Sequence, residues 1–245
     1  MSICIIIPAL NEEAAIGSVV RSVRDQIDRV IVVDNGSTDA TAAEAAAAGA
    51  DVVHQAKKGY GRSCLTGIAA AGDAEILVFM DGDGADDPAD LHKILAPIIA
   101  GEADFVVGSR LTGARERGAL TLPQQFGNAL ACFLMRRLWA SAFTDLGPFR
   151  AIKRQTLDAL DVTAETYGWT IEMQARAVKR GVRYCEIPVS YRKRAGVSKI
   201  SGTVRGVILA GAHILGVIAR EAVSKTPQHE NPAAHGRKNA TDGQP

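Results

Sequence analysis

Four carboxylates follow one apolar run, because Ile76 to Met80 leads directly into Asp81, Asp83, Asp86 and Asp87. The run has the length and apolarity of a strand buried on both faces, and the acids sit where it would leave the sheet. Side chains two apart on an extended segment point the same way, so Asp81 and Asp83 share a side. Two carboxylates this close raise each other's pKa unless a cation lies between them. An all-oxygen ligand set selects Mg²⁺ or Mn²⁺ over softer metals, and a cation held there could in turn hold a diphosphate. Asp87 has a simpler reading: followed by Pro88, it is an ordinary helix N-cap. A calcium loop of the EF-hand type is excluded, since it needs Gly at its sixth position and Glu at its twelfth, where this chain has Asp86 and His92.

The elements that must position these acids come from an alternation of strand and helix patterns. Ile3 to Ile7, Val30 to Val33, Val52-Val53, Ile76 to Met80 and Phe105 to Val107 read as strands. The stretch after Asn11, with Ile16, Val19, Val20 and Val23 on one face, reads as a helix, as do Thr41 to Ala48, Arg62 to Ala71 and Pro88 to Ile99. Such alternation predicts an α/β fold with a mostly parallel, Rossmann-like sheet and helices on both faces. Ligands of such sheets bind beyond the carboxyl ends of the strands. Polar clusters at Pro8 to Glu12, Asp34 to Asp39, Asp81 to Asp87 and Gly108 to Arg110 each follow a strand, so they should converge on one rim.

Beyond Arg110 the period changes. Gln124 to Ala140 reads as an amphipathic helix, Asp145 to Ile152 as a loop and strand, Gly168 to Arg180 as a helix and Val182 to Tyr191 as a strand, followed by a basic loop from Arg192 to Lys199. In the stretch 203–223, Val204, Val207, Ile208, Gly211, Ile214, Leu215, Ile218 and Ala222 fall on one helical face, with Arg205, His213 and Arg220 on the other. Packing on the chain's own sheet or on a second copy, and contact with anionic lipid, are both open for that face. Residues from Gln228 onward are too polar to order themselves and predict a disordered tail.

The chain has 245 residues, 47% hydrophobic and 22% charged, ordinary values for a globular protein. Its formal net charge of +1 gives no global attraction to nucleic acid. Cys4, Cys64, Cys132 and Cys185 lack any metal-ligand spacing and read as free thiols of a reducing compartment. The first residues lack the basic start and long apolar core of a signal peptide, and no apolar run reaches the roughly 20 residues that span a bilayer. The expected location is cytoplasmic, with peripheral contact at the cytoplasmic membrane face.

Pro8-Ala9-Leu10-Asn11-Glu12, Val33-Asp34-Asn35-Gly36-Ser37-Thr38-Asp39, Asp81-Gly82-Asp83 and Gly108-Ser109-Arg110, in this order and spacing, resemble the family-2 glycosyltransferases, and within them the dolichol-phosphate mannosyltransferase-like branch. The resemblance covers residues 1 to about 205. It implies a GT-A fold and transfer of a hexose, with inversion, from a UDP- or GDP-sugar to an acceptor, expected to be a polyprenyl phosphate. It further implies that Pro8 to Glu12 and Asp34 recognise the nucleoside. Asp81 and Asp83 would hold Mg²⁺ or Mn²⁺ against the diphosphate, where the metal stabilises the leaving nucleotide in place of a general acid. Lys58, in the loop Lys57 to Arg62, would approach phosphate. Arg110 matches a residue associated with the acceptor phosphate, and Arg150 and Lys199 match segments that bind donor or acceptor phosphate. Asp145 is the first candidate base for a hydroxyl acceptor, with Glu172, on the helix that also carries Trp169, behind it; an ionised phosphate needs none.

On this reading residues 1–223 form one GT-A domain: a nucleotide-sugar-binding half at 1–110, an acceptor half at 111–202 and an amphipathic helix at 203–223, with the tail at 224–245. That helix is also the expected site of any homo-oligomer contact. Two departures concern the lipid-phosphate branch. Ala85 stands where the branch carries Gln, leaving Asp86 or water to complete the metal shell, and Pro123-Gln124-Gln125 replaces an Arg pair for which Arg115 and Arg117 are candidate substitutes. A nucleotidylyltransferase is disfavoured because Ala9 to Glu13 is not its Gly- and Lys-rich loop, whereas a non-catalytic nucleotide-sugar-binding protein would need most of the same residues.

Overall fold

Alternate residues of the apolar runs point to opposite faces of one sheet, and each face has its own core. Cys4, Ile6, Ile31, Val33, Leu77 and Phe79 belong to one cluster, and Ile5, Ile7, Val30, Val32, Ile76 and Val78 to the other. This is the pattern of strands covered on both sides. The computed structural model describes residues 1–195 and 204–224. Within them the seven-stranded sheet has the order β3-β2-β1-β4-β6-β5-β7. The strands are β1 (Ile3–Ala9), β2 (Arg29–Asp34), β3 (Asp51–His54), β4 (Ile76–Phe79), β5 (Phe105–Ser109), β6 (Arg150–Lys153) and β7 (Tyr184–Pro188). The helices are α1 (Ile16–Val23), α2 (Thr41–Ala47), α3 (Tyr60–Ala70), α4 (Leu91–Ile99), α5 (Leu122–Trp139), α6 (Arg154–Leu160), α7 (Trp169–Lys179) and α8 (Val204–Val223).

The sheet is parallel except for β6, which runs antiparallel to both β4 and β5. That reversal matters for the site. Antiparallel β6 brings its first residue to the rim where the parallel strands end, with Arg150 opposite Phe79 and Val107. The loop leading into β6, which carries Asp145, therefore reaches the same rim as the loops after β1, β2, β4 and β5. Close approach is possible because a Cβ at Gly147 would collide with the Gly108 carbonyl. The short helix α6 follows β6 without a break and is not evident from apolar periodicity, because its seven residues complete only two turns.

Helix α5 starts with a capping box in which the Thr121 hydroxyl accepts from the Gln124 backbone N–H and Gln124 Oε1 accepts from the Thr121 N–H at 2.8 Å. Gln124, one of the residues that replace the expected Arg pair, is thus engaged at the helix start. In α8, Ile214, Val217 and Ile218 pack into the core beside α5 and α7, and a Cβ at Gly168 would meet Val217. Of the apolar face read from the sequence, Ile218 is buried and Ile214 half-buried against the chain itself, whereas Leu215 and Ala222 stay exposed. Among the described residues no helix is long and apolar enough to cross a membrane.

Candidate active site

The loop after β1 is stitched to the loop after β2. Asn11 N–H donates to Ser37 Oγ at 2.9 Å, Glu12 N–H to Thr41 Oγ1 at 2.8 Å, and Thr38 N–H to Asn11 Oδ1 at 2.7 Å. Asn11 takes a left-handed backbone conformation to make this turn (φ 53°). Asp34 is buried at the end of β2, where its Oδ1 accepts from Ser37 N–H at 3.0 Å and its Oδ2 lies 3.1 Å from His54 Nδ1. Its neighbour Asn35 ties three segments together: Nδ2 donates to the Gln55 and Lys57 carbonyls and Oδ1 accepts from Gly59 N–H. Sequence reasoning passed over Asn35, although a turn Asn bonding local backbone is a common device. Lys58 is exposed, and its carbonyl accepts from the Arg62 guanidinium.

The carboxylates after β4 form a tight group. Asp83 Oδ1 accepts from Ala85 N–H at 2.9 Å, and Asp86 Oδ2 accepts from Asp81 N–H at 3.3 Å. Oδ1 of Asp81 and Oδ1 of Asp86 are buried without a hydrogen-bond partner. Burial, then the charge of Asp83, pushes the Asp81 carboxyl up to about 7, and burial followed by Asp81 and Asp83 raises Asp86 well above the carboxylate range. Orphaned, mutually repelling oxygens of this kind fit a hard divalent cation. The guanidinium of Arg194 reaches into this group, 2.7 Å from Glu12 Oε1 and 3.3 Å from Asp83 Oδ2. Its segment is strapped down by Ala195 N–H to the Asp83 carbonyl (3.0 Å) and Arg192 N–H to the Ala85 carbonyl (2.8 Å). Sequence reading placed Arg194 in a basic loop without giving it a partner.

Arg110, just past β5, is held by Asp145. Nε and Nη2 donate to the two carboxylate oxygens at 2.8 and 2.7 Å, and the Arg110 backbone N–H adds a third bond at 2.8 Å. Burial alone would raise the Asp145 carboxyl, but the adjoining guanidinium holds it below the carboxylate range; Asp145 in turn raises Arg110 against the opposing effect of burial. Asp145, the candidate base, is thus buried and paired through both carboxylate oxygens with Arg110, which it orients. Nη1 takes no part in this pairing.

Other expected residues lie away from the cavity. Glu172 is fully buried, accepts from the Thr163 and Ala164 backbone N–H groups and pairs with Arg176 and Arg220. Arg150 is fully buried and donates to the Gly147 and Thr170 carbonyls, with its guanidinium 5.9 Å from the Trp169 ring centre. Trp169 itself is sealed against Phe79. These three hold the floor of the site and touch no ligand space. Arg115 and Arg117 are exposed and do not line the cavity, so Arg194 is the second cation there. Lys199 lies outside the described residues.

A cavity of about 470 Å³ joins the two chemistries of the site. Tyr60, Asp81, Asp83, Arg110, Tyr191 and Arg194 supply its polar wall. Phe126, Leu130, Ala131, Ile214 and Leu215, from α5 and α8, supply an apolar one. The Arg110 guanidinium lies 5.1 Å from the Tyr191 ring centre, a cation–π contact that further fixes it.

A model of glycosyl transferase family 2 matches residues 4–160. The chain belongs to that family. Similar proteins include an uncharacterized glycosyltransferase of Mycobacterium tuberculosis (strain ATCC 25618 / H37Rv), 35% identical over 212 residues that cover 85% of this chain and 94% of the relative. Another is the dolichyl-phosphate hexose transferase of Haloferax volcanii, 33% identical over 228 residues, 89% of this chain and 95% of the relative. The glycosyltransferase resembles the dolichol-phosphate mannosyltransferase-like branch, as its motifs imply. Its GT-A fold is that of the glucosyl-3-phosphoglycerate synthase from Mycobacterium tuberculosis solved in complex with Mn²⁺, uridine-diphosphate-glucose and phosphoglyceric acid. That comparison has a TM-score of 0.74 at 22% identity, covering 90% of this chain and 79% of the other.

Proposed function

We propose that this glycosyltransferase moves a hexose, with inversion, from a nucleotide diphosphate sugar to a polyprenyl phosphate. The observation that carries the reading is the single cavity whose wall is carboxylate and guanidinium in one part and apolar in another. A phosphate attached to an isoprenoid chain matches both parts. Asp81, Asp83 and Asp86 would hold Mg²⁺ or Mn²⁺, which when bound supplies charge stabilisation for the departing nucleotide diphosphate. Pro8 to Glu12 and Asp34 shape the nucleoside end, while Arg110, preset by Asp145, binds the acceptor phosphate through its remaining nitrogen. The name of the Haloferax relative supports the acceptor class.

The acids of the site support it too. Asp145 is paired with Arg110, Glu172 is enclosed away from the cavity, and among the described residues the acids in the cavity wall are Asp81 and Asp83. A hydroxyl acceptor would need one of them to take its proton, whereas a phosphate is already ionised near neutral pH. The deciding experiment incubates the protein with UDP- and GDP-hexoses, Mn²⁺ and, in parallel, a short polyprenyl phosphate and phosphoglycerate, with products read by mass spectrometry. A glycosylated polyprenyl phosphate is expected. Transfer to phosphoglycerate alone would replace this reading with a soluble acceptor, and donor binding without any transfer would favour a non-catalytic binder.

A further inference from the structure

The inward face of α5 is unremarkable: Asn128, Ala131, Cys132 and Met135 are buried beneath it. Its outward face is not. Leu122, Phe126 and Phe133 are 80%, 72% and 59% exposed, and among the described helix residues only Val223, at the end of α8, is a more exposed large apolar side chain than Leu122. At about 100° per residue these three fall within about 40° of one another, with the exposed Arg136 and Arg137 within about 60° on either side of the stripe. No Asp or Glu occurs anywhere in the helix. A solvent-facing helix surface of a soluble protein normally carries charge, and a contiguous apolar stripe there marks an interaction surface.

We infer that this outer face of α5 docks on an anionic lipid surface. Large apolar side chains flanked by arginines, with no acid on the same helix, have the composition of a helix lying in the head-group region: the apolar stripe enters the acyl boundary and the guanidinium groups meet lipid phosphates. A second copy of the chain is the other apolar partner available, but an arginine-flanked, acid-free stripe facing its own copy would bring like charges together. Position also favours lipid. Phe126 belongs both to the stripe and to the cavity wall, together with its neighbours Pro123 and Gly127. An isoprenoid chain leaving a bilayer under α5 therefore meets the apolar wall of the cavity at once, without crossing open water. The assignment differs from the one the sequence suggested, because α8, whose periodicity looked interfacial, turns Ile214, Val217 and Ile218 into the protein. The purpose of the surface rests on the polyprenyl-phosphate reading; the surface itself does not.

The test is flotation of the full chain with vesicles of phosphatidylcholine alone or mixed with phosphatidylglycerol, at low and high salt. Enrichment on the anionic vesicles is expected, weakened by salt. The Leu122→Ser/Phe133→Ser variant, whose side chains do not line the cavity, should lose about tenfold or more of that partition while keeping its circular dichroism spectrum and melting temperature. The Arg136→Gln/Arg137→Gln variant should lose the salt-sensitive part. Failure of the wild-type chain to float, or unchanged flotation of Leu122→Ser/Phe133→Ser, overturns the inference. So does a concentration-dependent dimer, seen by sedimentation velocity, that this variant abolishes in place of vesicle binding. The two readings separate cleanly: flotation without transfer to polyprenyl phosphate sinks the acceptor, and transfer to a short, dispersed polyprenyl phosphate without flotation sinks only the membrane surface.

Discussion

Asp83 lies in the turn after buried strand β4 and contacts both a backbone N–H and Arg194, so its charge rather than its volume is what the site uses. Asp83→Asn should lower metal-dependent transfer by at least about 10²-fold, the scale seen for removing one key electrostatic group, while the melting temperature in metal-free buffer stays close to wild type. A folded variant with near-normal turnover would sink the metal assignment. Arg194 makes a second residue-scale prediction. A guanidinium 3.3 Å from Asp83 competes with any cation for that oxygen. Titration calorimetry of Arg194→Met without donor should therefore show Mn²⁺ binding tighter by roughly threefold to tenfold, the size expected of one partly exposed charge pair. Unchanged affinity would mean that the guanidinium and the metal do not share the oxygen. Asp145 carries the third. Because it fixes Arg110 through three hydrogen bonds, Asp145→Asn should raise the KM for the acceptor phosphate along with Arg110→Lys. A base would instead show a loss of kcat that deepens at low pH.

At the scale of elements, the floor of the site depends on α7 and α8 being tied together. Glu172 on α7 accepts two backbone N–H groups from the 163–164 segment and pairs with Arg176 and with Arg220 on α8. Glu172→Gln keeps the shape but leaves these cations without a counter-charge. Arg220 is half-exposed and can turn to water, so the cost is set at about 2 kcal/mol, below that of breaking a fully buried pair. Urea unfolding measures this directly, and activity per folded molecule at a permissive temperature should be close to wild type. A large fall in kcat with unchanged stability would return Glu172 to the catalytic candidates. Apolar periodicity left open what covers α8, because an amphipathic helix has one apolar face whatever lies against it; here Ile214, Val217 and Ile218 pack into the cluster that holds Trp169.

For the whole molecule, the acids of the site oppose folding as they ionise. Asp81 has its carboxyl pushed up to about 7 in the folded state, above the ordinary value near 4 of the unfolded chain. Between those two values the folded state binds more protons than the unfolded state, so stability falls as pH rises through that window and levels off above it. A divalent cation binds the ionised form and must displace the proton at the lower pH. The rise in melting temperature on adding Mn²⁺ should accordingly be larger at pH 8 than at pH 6, by differential scanning fluorimetry. An equal shift at both values would place the bound metal elsewhere.

The sequence by itself determined the order of strands and helices in the nucleotide-binding part, because residue spacing along one chain reports which face each side chain takes. It also determined that four polar loops share a rim, since all four follow parallel strands, and that Asp81 and Asp83 lie close together beyond β4, since they are two residues apart. Only the tertiary structure decided what depends on distant segments meeting. The reversal of β6 brings Asp145 to Arg110 across 35 residues of chain, so that the candidate base is found paired with a guanidinium. Arg194 reaches Glu12 across 182 residues, so no local pattern could pair them. The outward stripe of α5 is a question of which face is covered, and a helix apolar on both sides leaves that question to its neighbours: α7 and α8 cover one face and nothing among the described residues covers Leu122, Phe126 and Phe133.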